Sequence, residues 1–185
     1  MIKTLLALLS LVSICETHAQ RGGRDSLLVQ GTALAREAES TLENAIRMLS
    51  DISYREPSNQ MIKNMLRKAS VAEIWDASGH RYCRSSNITG SATPPAMLAE
   101  QNGKKIYVCP GFMTTPCDHP RGCQVSRRQR IYILLHEIGH LTGLGGSVAD
   151  ECKADDGARE VLWKAGIPQE PGHYDEICSE HRRNR

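Results

Sequence analysis

The residues with the clearest chemical potential are His136, Glu137 and His140, which form the pattern HExxH. Residues at positions i and i+4 lie on one face of a helix, so the two imidazoles can bind a single zinc ion. The carboxylate of Glu137 can reach a water on that ion and act as general base. The simpler interpretation is a helix with two solvated histidines. A third ligand elsewhere in the chain would favour the metal site.

The flanking sequence predicts a helix with one buried face. Ser126, with Gln129 three residues later, has the form of a capping box. Apolar residues then recur at helical spacing, at Ile131, Leu134, Leu135, Ile138 and Leu141. Glycines end this pattern, and a further Ser-x-x-acid sequence at Ser147 predicts the start of another helix. Gly157 inside that second helix indicates a close approach of another element.

A catalytic zinc ion needs three protein ligands and one open position. The string HEIGHLTGLGG is similar to the metzincin pattern, but the position of that family's third ligand is Gly146, which has no side chain. The segment 151–158 instead resembles the ExxxAD helix of gluzincin metallopeptidases, such as HtpX-like and Ste24-like proteases. This resemblance implies that Glu151 binds zinc and that Asp155 orients a zinc-binding histidine through its other ring nitrogen. The spacing differs from that family, since the interval between His140 and Glu151 is short.

Asp150 is the alternative third ligand. The β-rich segment 106–110 followed by an HExxH helix is also similar to deuterolysin-type aspzincins, which are secreted, disulfide-bonded and use an aspartate soon after the second histidine. Their GTxDxxY signature is absent, because residues 146–151 read Gly-Ser-Val-Ala-Asp-Glu. The sequence leaves both acids open.

Two further roles are suggested for substrate contact. His173 and Tyr174 are candidates for a second group that stabilises the oxyanion, although they can equally be surface residues near a disulfide. The strand Ile106–Val108 is predicted to be a sheet edge that pairs with an extended substrate.

The N-terminal segment predicts export. Residues 1–19 combine a positive start, an apolar run from Leu5 to Ile14 and a small-x-Ala site before Gln20, as in a secretory signal peptide. The run is too short to span a bilayer, and we expect no stable membrane insertion. The mature protein is therefore expected to be secreted or periplasmic.

The cysteines support this location. Six of them follow residue 19: Cys83, Cys109, Cys117, Cys123, Cys152 and Cys178. An even number in an exported chain predicts three disulfides, whose connectivity the sequence leaves open. The formal net charge of +2 gives no reason to expect binding to nucleic acid.

These features predict three segments: a signal peptide (1–19), an N-terminal amphipathic helix (20–57) and a zincin-like metallopeptidase domain (58–185). The expected class is α+β and predominantly helical, with a small sheet, an active-site helix, a following ligand helix and disulfides.

The predicted function is that of an exported zinc metalloendopeptidase acting on protein or peptide substrates. One Zn²⁺ would bind His136, His140 and Glu151, and Glu137 would be the general base. The alternative is a secreted, non-catalytic binding or structural module with a degenerate zincin fold. Glu137 argues against it, because a purely structural site needs no base.

Overall fold

A computed structural model describes residues 28–80, 83, 96–115, 123–168, 178–179 and 183. The predicted signal peptide at residues 1–19 lies outside these ranges. Helices dominate the described chain: α1 (Ala33–Arg55), α2 (Gln60–Ala69), α3 (Arg127–Leu141) and α4 (Val148–Lys164). The predicted mixed and mainly helical class is confirmed.

A small sheet packs beside the helices. It comprises β1 (Glu73–Asp76), β2 (Met97–Ala99) and β3 (Lys105–Val108), in the order β1-β3-β2. β3 is parallel to β1 and antiparallel to β2. The prediction of Ile106–Val108 as an edge strand is therefore wrong. These residues are buried on both faces, as is typical of a central strand.

A short 3-10 helix, Pro110–Phe112, and a strand pair link this sheet to α3. The pair consists of β4 (Thr114–Thr115) and β5 (Cys123–Gln124), which run antiparallel. Phe112 is fully buried and anchors the connection in the core.

The helix starts follow local side-chain chemistry. The predicted capping box of α3 is present, because the side chains of Ser126 and Gln129 each bond to the other's backbone N–H. The side chain of Ser147 likewise accepts a hydrogen bond from the N–H of Asp150 at the start of α4. The N-terminal amphipathic helix is predicted within residues 20–57, and α1 begins only at Ala33. Gly31 has φ +72°, a conformation that interrupts a right-handed helix.

One apolar cluster joins all four helices and strands β1 to β3. The N-terminal helix belongs to it, since α1 contributes Leu42, Leu49 and Ile52. Full burial of each such side chain stabilises the fold by about 1.5–3 kcal/mol. Gly157 of α4 faces α2, where an added Cβ would lie 3.5 Å from Sδ of Met61. This is an ordinary van der Waals distance, so the close approach predicted from Gly157 is not found.

Two disulfides join described cysteines, Cys83 to Cys109 and Cys152 to Cys178. The first attaches the chain after β1 to the end of β3, and the second attaches the C-terminal part of the chain to α4. Loop closure of this kind typically stabilises a protein by about 2–4 kcal/mol. Cys117, needed for the third predicted bridge, lies outside the described residues.

None of the helices in the described ranges combines the length and apolar character required to cross a membrane.

Candidate metal centre

The two histidines of the HExxH pattern and Glu151 converge on one point. Nε2 of His136 lies 3.1 Å from Oε2 of Glu151 and 3.1 Å from Nε2 of His140. Nε2 of His140 lies 3.4 Å from Oε2 of Glu151. Ligand atoms bound about 2.0–2.1 Å from a tetrahedral ion lie roughly 3.3 Å apart, which matches this triangle. Within the described part of the chain, this group could hold a metal ion.

The close packing of α3 on α4 brings the third ligand into place. Gly139 lies between the two histidines, and a Cβ added there would lie 3.1 Å from Cβ of Ala154 on α4. A larger residue at position 139 would therefore push the helices apart and move Glu151 away from both imidazoles.

The turn between α3 and α4 is fixed by a residue without a side chain. Gly143 has φ +116°, and an added Cβ would lie 2.7 Å from Oδ1 of Asn102. The side chain of Gln101 donates a hydrogen bond to the carbonyl of Gly143, at 3.1 Å. The connection between β2 and β3 thus holds the turn that follows the second histidine.

The acidic and basic side chains of α3 and α4 shift each other's pKa values. Burial alone would lower the pKa of His140, but the hydrogen bond with Glu151 and the negative charge of Glu137 raise it to about 9. Burial alone would raise the pKa of Glu151, but its hydrogen bonds with His136 and His140 lower it to about 2. The carboxylate therefore favours a positive charge among the three ligand atoms, whether a proton or a metal ion.

A backbone carbonyl sets the orientation of His140. Nδ1 of this ring lies 3.1 Å from the carbonyl oxygen of Leu144. A carbonyl only accepts hydrogen bonds, so Nδ1 carries the hydrogen and Nε2 can direct its lone pair towards a metal ion.

Glu137 is buried beside the ligand triangle, with 9% of its surface exposed. Burial raises the pKa of its carboxyl group, and the nearby His136 and His140 oppose this effect only in part. The backbone N–H of Ala99 in β2 donates a hydrogen bond to the Glu137 carboxylate. A carboxylate with a raised pKa at this position is suited to proton transfer.

Asp155 lies one turn after Glu151 and is fully buried. Its carboxylate accepts hydrogen bonds from the hydroxyl of Tyr132 on α3 and from Nε of Arg159, the latter at 2.8 Å. Burial, and then the bond to Asp155, raise the pKa of Tyr132 well above its usual value. This network ties α3 to α4 directly below the ligand triangle. The predicted role of Asp155 in orienting a histidine stays a prediction.

Asp150, the alternative third ligand, faces the N-terminus of α4. Its carboxylate accepts a hydrogen bond from the hydroxyl of Ser147 at 2.8 Å and pairs with Nζ of Lys153 at 3.1 Å. The structure brings Glu151, its neighbour, to the histidines. His173 and Tyr174 lie outside the described residues, and their oxyanion role stays a prediction.

Several contacts of the site were not predicted from the sequence. The N–H of Ala99 and the carbonyl of Leu144 are backbone groups, which leave no signal in residue types. Tyr132 does leave one, because it precedes His136 by four residues and so shares its helical face.

Compared with protein-family models, with curated proteins and with solved structures, the chain shows no match. The functional assignment therefore rests on the geometry of the centre.

Proposed function

We propose that this protein is a zinc-dependent metallopeptidase. The observation that carries the proposal is the convergence of His136, His140 and Glu151 with Glu137 beside them. Two imidazole nitrogens and one carboxylate oxygen form a donor set that zinc accepts, with a fourth position for water or substrate. When bound there, a zinc ion supplies a Lewis acid that polarises a carbonyl group and lowers the pKa of water.

Glu137 is the general base of the proposed reaction. It takes the proton of the attacking water and later delivers a proton to the leaving amine of the cleaved peptide bond. Its burial supports this role, because a raised pKa makes the carboxylate a stronger base towards the proton of the attacking water. The hydrogen bond from Ala99 holds the carboxylate in one orientation.

We propose that the substrate pairs with the edge of β2 that has no strand partner among the described residues. The carbonyl of Ala96 and the N–H of Glu100 form hydrogen bonds on the β3 side. Because backbone groups alternate along a strand, those of Met97 and Ala99 point away from β3. Glu137 lies on that outer side, where the N–H of Ala99 reaches it. The Ala99 N–H is occupied by Glu137, so an extended peptide would pair with the backbone groups of Met97 and the carbonyl of Ala99, which brings a substrate carbonyl close to the proposed base.

The two disulfides support an oxidising compartment. We accordingly propose a secreted or periplasmic enzyme that acts on protein or peptide substrates.

The decisive experiment compares the wild-type protein with Glu137→Gln on an unfolded protein substrate, with cleavage followed by mass spectrometry. Loss of the general base should reduce the rate by roughly 10²–10⁴-fold. Zinc content should stay unchanged, because Glu137 is not one of the three converging ligands. The matched control, Glu43→Gln, removes the same charge from an exposed position of α1.

Equal cleavage by the wild-type protein and Glu137→Gln would overturn the enzymatic proposal. If zinc binding persisted in both, the alternative of a non-catalytic module with a structural metal site would take its place.

A further inference from the structure

A second concave site lies at the other end of α3 from the candidate metal centre. It is a cleft of about 620 Å³ between α1 and the first turn of α3. This volume falls within the range of about 300–1,000 Å³ that is usual for ligand sites. Three arginines line it, Arg47, Arg127 and Arg128, together with one carboxylate, Asp51. These four residues define what we call the arginine cleft.

Two of the arginines share a neutral hydrogen-bond acceptor. Guanidinium nitrogens of Arg47 and Arg127 lie 2.6 Å and 3.2 Å from the same atom, Oδ1 of Asn44. Among the described residues, neither arginine forms an ion pair. Arg130, one turn further along α3, does form one, with Glu37 of α1 at 3.1 Å. At the contact between α1 and α3, Arg130 is therefore paired with a carboxylate, whereas Arg47 and Arg127 have no carboxylate partner in the described ranges.

This arrangement favours a carboxylate ligand. Two guanidinium groups held beside one amide oxygen repel each other, and an anion placed between them relieves that repulsion. The planar fork of arginine also matches the two oxygens of a carboxylate. Asp51 offsets one of the two charges of Arg47 and Arg127, and one positive charge of this pair remains.

The cleft also has an apolar part. Met48 of α1, Ile131 of α3 and Ile167 after α4 line it beside the arginines. A ligand that fills both parts carries carboxylates next to an apolar side chain. A peptide offers this combination, whereas a sulfated polysaccharide offers charge without apolar side chains.

We propose that the arginine cleft binds an acidic peptide segment, with carboxylates at Arg47 and Arg127 and an apolar side chain against Met48 and Ile167. This inference does not depend on the peptidase proposal, because it concerns a different site and requires no metal ion.

The test measures direct binding by fluorescence anisotropy. The probe is a labelled peptide with the sequence Glu-Glu-Leu-Glu-Glu, and its neutral counterpart is Gln-Gln-Leu-Gln-Gln. The wild-type protein should bind the acidic peptide roughly tenfold or more tightly than the neutral one. The double variant Arg47→Gln/Arg127→Gln should lose most of this difference.

The matched control is Lys63→Gln/Arg67→Gln, which removes two positive charges from exposed positions of α2. Its affinity for the acidic peptide should change by less than about twofold. Circular dichroism of each variant checks folding. If the double variant does not fold, the single variants Arg47→Gln and Arg127→Gln replace it, and each should lose part of the preference for the acidic peptide.

Equal affinity for the two peptides would overturn the proposal. So would an unchanged affinity in the folded double variant. Binding of a sulfated oligosaccharide without binding of the acidic peptide would also overturn it, and would assign the cleft to glycans.

Discussion

The two ends of α3 differ in the charged groups that surround them. At its C-terminal end, His136 and His140 are buried and meet the carboxylate of Glu151, which α4 supplies. At its N-terminal end, Arg127 is exposed and lies 3.2 Å from the neutral side chain of Asn44, beside a second arginine. The C-terminal end therefore brings one carboxylate to two imidazoles, whereas the N-terminal end brings two guanidinium groups to one amide oxygen. The helices that pack on α3 supply the partner side chains at both ends, Glu151 from α4 and Asn44 from α1.

The largest expected effect is a loss of zinc affinity at the C-terminal end of α3. Glu151→Gln removes the carboxylate that completes the ligand triangle. Zinc affinity should fall by more than the roughly 10–100-fold that is usual when an outer hydrogen-bond partner of a metal ligand is lost. Isothermal titration calorimetry with zinc measures this change.

Two control variants test whether the loss of zinc affinity is specific to Glu151. Asp150→Asn removes a neighbouring acid that pairs with Lys153, and Arg47→Gln removes a charge at the opposite end of α3. Both should bind zinc as the wild-type protein does. A large loss in Asp150→Asn with a small one in Glu151→Gln would move the third ligand to Asp150.

A smaller effect is expected from the network below the ligands. Tyr132→Phe removes the hydroxyl that donates to the buried Asp155. Loss of a partner by a buried charged group costs about 1–3 kcal/mol in the free energy of unfolding. Urea denaturation measures it, with Tyr54→Phe as control, because Tyr54 is 89% exposed. The control should change stability by less than about 0.5 kcal/mol, and equal changes in the two variants would refute the stabilising role of the Tyr132–Asp155 contact.

The most gradual effect, about tenfold in zinc affinity for each pH unit, comes from competition between protons and zinc. Hydrogen bonding to Glu151 raises the pKa of His140 to about 9, although burial opposes this. A zinc ion that binds Nε2 of His140 must displace the proton held there below that pH. Zinc affinity should therefore fall as the pH falls, by about tenfold per pH unit between pH 8 and pH 6. Competition with a chromogenic chelator measures this slope, and an affinity independent of pH would contradict the assignment.

The features that could be predicted are those that depend on the spacing of residues close together in the sequence. The HExxH pattern placed two imidazoles on one helical face, and Ser126 and Ser147 marked the helix starts, because these features depend on neighbours along the chain. The resemblance of residues 151–158 to the ExxxAD helix predicted Glu151 as a ligand. β2 was not, since three residues carry too weak a pattern, and β3 was wrongly assigned to an edge because strand order depends on contacts between distant segments.

The sequence by itself determined the chemical groups of this protein: two histidines at helical spacing, a glutamate beside them and arginines at the start of the same helix. Only the tertiary structure decided their partners. The contact of Gly139 with Ala154 brings Glu151 rather than Asp150 to the histidines, and the packing of α1 on α3 brings Arg47 beside Arg127. The physical reason is that charge and coordination act over a few ångströms, whereas the residues involved are distant in the chain.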